Sequence, residues 1–199
     1  MKTLAIASIV GSVILYVYLA LAHTVLPIHN SDYKYTTAED SILKTLKSAN
    51  LKKGLYFLPY MPPDASNEEK MTRMKEMMGK PGALVNYYPA MEENTSTYIM
   101  SFIYNLISVL ILCIALATAR DKLINFRQRL WFVMLFVLFV IFSEIMLEYN
   151  WVGLPMHYLK GEIIDQVIGY LLTGIWLAWY YGRLSDRKKN TSSYTNVPQ

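Results

Sequence analysis

Four apolar runs constrain this chain more than any other feature. They cover residues 4–22, 99–119, 130–147 and 163–181. Each is about 18 to 21 residues long, enough for a helix to cross a hydrocarbon core of about 30 Å. The rest of the 199 residues is too little for a large soluble core. The expected class is therefore an all-α membrane protein with a lipid bilayer as its solvent. The first helix occupies 1–22, and helices at 99–119, 130–148 and 163–181 lie within 98–182. The longest connection, 23–97, is expected to fold as a small α+β cap, and 183–199 as a polar tail without fixed structure.

Charge placement sets the expected orientation. Residues 23–97 hold nine basic and nine acidic side chains. The connection after the second run carries Arg120, Lys122, Arg127 and Arg129 against Asp121, and the tail carries Arg183, Arg187, Lys188 and Lys189 against Asp186. Lys2 precedes the first run. Basic residues flanking membrane helices stay in the cytoplasm. Four crossings with both termini cytoplasmic satisfy this, and 23–97 and 148–162 then face outward. These basic patches are short and flank helices, so they read as orientation signals and not as nucleic-acid sites. The net charge of +4 is modest. Cys113 is the single cysteine, so no disulfide forms within the chain.

The first run could serve as a secretory signal, with Ala20-Leu21-Ala22 as a cleavage site. It is longer than the roughly 7–15 apolar residues of a signal core, so an uncleaved helix is expected. Ala5, Ser8 and Ser12 share one face of it, suited to close helix packing. Within the cap, Thr37–Asp40 and Ser66–Glu69 read as capping boxes opening two helices, the first ended by Gly54. Residues 55–60 and 83–88 read as strands. The second helix of the cap carries Met71, Met74, Met77 and Met78. Thioethers can ligate Cu(I), but the same spacing serves a helix packed through flexible methionines.

The chain also resembles a family of uncharacterised bacterial four-helix inner-membrane proteins. The resemblance is carried by Leu26-Pro27-Ile28-His29, by Gly54-Leu55-Tyr56 with Pro59 and Met61-Pro62, and by Asp165-Gln166-Val167-Ile168-Gly169. It spans most of the chain and implies a four-helix architecture and a location in the bacterial inner membrane. The family has no assigned activity, so the resemblance implies no catalytic residues.

Acidic residues at membrane depth are expensive and mark functional sites by default. Glu144 lies inside the third run and Asp165 inside the fourth. The topology brings His23, His29, Ser101, Asn105, Glu144, Glu148, His157 and Asp165 to one membrane level, with Glu162 beside them. Bundles of four helices place metal and cofactor sites between facing helices. Imidazole and carboxylate suit zinc, iron or manganese. The spacing matches no metal motif, and no sequence pattern here requires a cofactor.

Three readings of this cluster stay open: a structural polar network, an ion or proton site, and a metal site. No phosphate loop and no Gly-x-Ser-x-Gly is present, which argues against an enzyme. The leading functional expectation is an accessory or interaction protein of the bacterial inner membrane, with an envelope partner bound through 23–97. An ion, proton or metal-binding protein is the first alternative. An intramembrane enzyme acting on a lipid-level substrate is the second. The sequence leaves the oligomeric state open.

Overall fold

The computed structural model describes the backbone of residues 2–92 and 94–195, and side chains as far as Leu184. The described chain divides into two compact units, residues 1–34 with 95–199 and residues 35–94. The tail expected over 183–199 lies, beyond Leu184, outside the residues whose side chains are described.

The first unit holds four long helices: α1 (Lys2–Thr24), α4 (Ser96–Thr118), α5 (Phe126–Val140) and α6 (Met156–Thr195). Two π-helical turns, Ile141–Ile145 and Glu148–Val152, extend α5. Spans at Lys2–Thr24, Ser96–Thr118, Phe126–Val152 and Met156–Leu184 are long and apolar enough to cross a membrane. Their outward faces are apolar too: Ile9, Val13, Ile111, Phe139 and Leu172 are all exposed. Water penalises such a surface, whereas hydrocarbon does not.

α1 packs against α4 and α6, and α6 packs against α5, while α4 and α5 touch little. Small residues permit the α1–α6 contact. Ala7, Ser8, Gly11 and Ser12 are buried on α1, whereas Ala5, expected on the same face, is exposed. The Ser8 and Ser12 hydroxyls donate to carbonyls one turn back, at Leu4 and Ser8. Trp176 Nε1 donates to the Ala7 carbonyl at 3.2 Å, and Thr173 lies buried beside Gly11. Trp176 is thus partly turned inward.

Along α5 the buried positions are Arg129, Val133, Val137, Ile141 and Ile145, a row with spacing four. Arg129 is more than an orientation signal. Its guanidinium donates to the carbonyls of Leu123, Ile124 and Ala178 at 2.9–3.0 Å. The start of α5 lies four residues before the expected boundary, because Asn125 and Gln128 form a capping box. Asn125→Ala should lower stability by about 1 kcal/mol, the usual cost of a lost cap. Thermal unfolding in detergent reads this, and an unchanged midpoint would show the cap to be idle.

The second unit runs α2 (Glu39–Ser48), β1 (Gly54–Leu58), α3 (Asn67–Met77) and β2 (Ala83–Tyr87). The order helix, strand, helix, strand is as the sequence implied. The strands pair antiparallel, with Gly54 opposite Tyr87 and Leu58 opposite Ala83. The Ser66–Glu69 capping box forms. The one expected at Thr37–Asp40 does not: Ala38 occupies the cap position without a side-chain bond. The Ser41 hydroxyl donates to the Ala38 carbonyl instead. α2 stops at Ser48, short of Gly54, with Asn50 in the left-handed region at φ 51°. Asparagine tolerates that conformation, so no glycine is required there. Neither α2 nor α3 buries a residue, and Met71, Met74 and Met78 are exposed.

Candidate functional site

The site forms where α1 ends and α6 begins. His23 lies in the last turn of α1. The chain leaves that helix through Leu26, whose N–H still donates to the Leu21 carbonyl. It then turns back on itself: the Asp32 N–H donates to the His29 carbonyl at 3.1 Å. That turn sets the His29 and Asp32 side chains together, with Nδ1 of His29 2.6 Å from Oδ2 of Asp32.

α6 supplies the opposite wall. Gly161, Asp165, Gly169 and Thr173 recur every fourth residue, which places them along one helix face. All four are buried. Gly161 is where His29 comes to lie. A Cβ there would sit 2.8 Å from Nδ1 of His29 and 3.2 Å from Oδ1 of Asp32. Asp165 is one turn further on. Its Oδ2 is 3.1 Å from Nε2 of His29 and 3.2 Å from Nε2 of His23. Its other oxygen, Oδ1, accepts from the Tyr18 hydroxyl at 3.3 Å. Tyr18 in turn packs over Gly169.

The two imidazoles stack, with centroids 3.8 Å apart and planes 14° from parallel. The ligand-type atoms of His23, His29 and Asp165 all lie within 4.8 Å of one another. Exposure divides them. The side chains of His29 and Asp165 are 11% and 6% exposed, whereas that of His23 is 52% exposed. The cluster is therefore closed on the helix side and open at His23.

Electrostatics holds the cluster together. Buried carboxylates need a charge or a hydrogen-bond donor beside them. Asp32 and Asp165 are both buried, and His29 lies between them. Burial pulls the His29 pKa down, but its hydrogen bonds to Asp32 and Asp165 and their charges outweigh this, leaving it above the usual histidine value. Oδ1 of Asp32 is buried and accepts no hydrogen bond among the described residues. An acceptor in that state costs free energy in proportion to its lost hydration.

Of the residues expected at this level, His23, His29 and Asp165 come together. The others do not join them through any side-chain bond among the described residues. Glu144 is exposed, one position off the buried row of α5, and Glu148 is half-buried in the second π-helical turn. The Ser101 hydroxyl donates to its own helix at Thr97. Asn105 and His157 are half-buried on α4 and α6. Glu162 is half-buried on α6, three residues before Asp165.

Sequence reasoning missed Asp32, Tyr18 and Gly161. The Asn30-Ser31-Asp32 run after His29 is a turn signal that could have paired His29 with Asp32. Gly161 stands one turn before Asp165 in the same fourth-residue row as Gly169 and Thr173. Nothing in the sequence marks Tyr18 apart from its neighbour Tyr16.

No family model, no curated protein and no solved structure matches this chain.

Proposed function

We propose that this is a multi-pass protein of the bacterial inner membrane that binds a cation at the outer end of its helix bundle. The convergence of His23, His29 and Asp165, backed by Asp32, carries this reading. Two buried carboxylates share His29, and Asp165 also meets the half-exposed His23. A concentration of acceptors of this kind favours a bound positive charge.

The membrane placement is supported by the four apolar spans and by the distribution of basic residues. Lys2, the 120–129 connection and the tail are cytoplasmic in this reading, so both termini are inside. The end of the bundle bearing His23 and Asp165, and the unit 35–94, then face the extracytoplasmic side. The resemblance to bacterial inner-membrane proteins agrees with this location.

The second reading is an accessory protein that meets an envelope partner through its outward unit. It is favoured by the helices of that unit, which leave Ile42, Leu43, Met71 and Met74 exposed. In that case the His/Asp cluster is a clamp holding residues 25–34 to the bundle.

Thermal unfolding of the purified protein separates the two. The wild type and Asp165→Asn are each melted with sodium, calcium, magnesium, manganese, zinc or cobalt. A cation at 100 times its Kd stabilises by about 2.7 kcal/mol, so binding raises the midpoint by several degrees. At least one cation is expected to raise it in the wild type and not in Asp165→Asn. If none does, and Asp165→Asn merely lowers abundance, the cation reading fails and the clamp stands.

A further inference from the structure

We infer that the bound cation is a divalent first-row transition metal, held by Nε2 of His23, Nε2 of His29 and Oδ2 of Asp165, with an exchangeable position facing outward. This rests on the cation-binding reading above and gives it a chemical class.

The donor set decides the class. Calcium and magnesium take oxygen ligands. Two imidazole nitrogens and one carboxylate oxygen suit zinc, iron(II), cobalt or manganese. In a tetrahedral site with bonds of about 2.1 Å, neighbouring ligand atoms lie ~3.4 Å apart. The two His-to-Asp165 separations are 3.1 and 3.2 Å, close to that spacing. The two imidazoles lie side by side, and both present Nε2 to the same oxygen of Asp165. Imidazole ligates through a lone pair in its ring plane, so loading the site turns the half-exposed His23 ring out of the stack.

The groups around the ligands have the arrangement a metal site needs. A ligating histidine commonly donates its other ring N–H to a carboxylate, which fixes the tautomer. Asp32 stands in that place, 2.6 Å from Nδ1 of His29. Tyr18 occupies Oδ1 of Asp165 and leaves Oδ2 to the metal. Asp32 and Tyr18 are therefore positioning residues.

Three protein ligands do not complete a coordination sphere. Structural zinc sites are closed by four protein ligands, while sites that exchange or activate a ligand keep one position open. The half-exposed His23 marks the open side. Water or a small external ligand completes the sphere there.

The test uses the full-length, detergent-purified protein, stripped with a chelator and reloaded with zinc, cobalt, manganese, calcium or magnesium singly. Bound metal is counted by mass spectrometry, affinity is read against a chromogenic chelator, and cobalt is followed by its visible spectrum. One zinc or cobalt per chain is expected in the wild type and in Glu144→Gln. His23→Ala, at a half-exposed position with little structural demand, should lose stoichiometric metal. Asp32→Ala should weaken binding roughly 10- to 100-fold while leaving the cobalt spectrum intact. Asp32→Asn, which still accepts a hydrogen bond, should recover much of that loss. Calcium or magnesium bound in place of transition metals would overturn this inference and leave the cation reading standing. Zinc bound equally well by His23→Ala would overturn it by placing the metal elsewhere. No cation bound at all would remove both.

Discussion

His29→Ala is expected to be the most damaging single substitution in the first unit. His29 lies between Asp32 and Asp165, and its two nitrogens face both carboxylates. Removing it leaves two buried carboxylates without their shared partner. Breaking one side of a buried ionic pair costs about 3–5 kcal/mol, most of it the penalty of the stranded charge. The loss of stability should exceed that of His23→Ala, because His23 is half-exposed and water can replace its contact with Asp165. A double-mutant cycle gives the sharper reading. Asp32→Ala in the His29→Ala background should restore part of the loss, since the stranded carboxylate is then gone. Thermal melts of the four proteins in a chelator-containing buffer measure this without any contribution from metal. A His29→Ala protein as stable as the wild type would mean that the carboxylates are solvated and that the cluster is not a buried one.

Gly161→Ala is the second. In an α-helix this change ordinarily stabilises by about 1 kcal/mol, because glycine has more backbone freedom to lose. Here the new methyl would lie 2.8 Å from Nδ1 and 2.9 Å from Cε1 of His29, and 3.2 Å from Oδ1 of Asp32. His29 is held at both ring nitrogens and Asp32 through its Oδ2, so neither side chain can swing clear cheaply. The expected result is opposite in sign to the helix rule: the melting midpoint falls. Metal affinity should fall with it, by roughly tenfold or more, although every ligand remains in the sequence. Gly169→Ala is the contrast. Its methyl would meet Cδ1 of Leu15 at 2.8 Å, the far end of a flexible side chain, and an edge of Tyr18 at 3.1 Å. Its effect on metal should be smaller and act through Tyr18. A Gly161→Ala protein that melts higher and binds zinc normally would show that the 25–34 segment does not lie against α6.

How much of the site could be read beforehand differs from residue to residue. Asp165 and Glu144 were equally anomalous as carboxylates in apolar runs. Only Asp165 meets the cluster. The α6 face that carries it also carries Gly161, Gly169 and Thr173, and so turns toward α1. Glu144 is adjacent to Ile145, the last member of the buried row, and stays on the outside. It lies within the π-helical turn at 141–145, with a second at 148–152. Arg129 was legible as a charge but not as a buried one, because its carbonyl partners come from the α4–α5 connection and from α6.

By itself the sequence determined much of what depends on neighbours along the chain, though not the cap of α2 at Ala38 or that of α5 at Asn125. Apolar run length set the four long helices. Ser8 and Ser12 marked the packing face of α1. Ser66 with Glu69 set the start of α3, and the two strands were legible at 55–60 and 83–88. These are local matters of backbone geometry and solvation. Only the tertiary structure decided which polar groups meet. Tyr18 and His29 reach Asp165 across 147 and 136 positions of chain. No spacing rule spans that distance, because the contact depends on how α1 and α6 are rotated and how deeply they sit against each other. Gly11, Gly161 and Gly169 allow that approach by offering no side chain where the neighbouring helix and loop must pass.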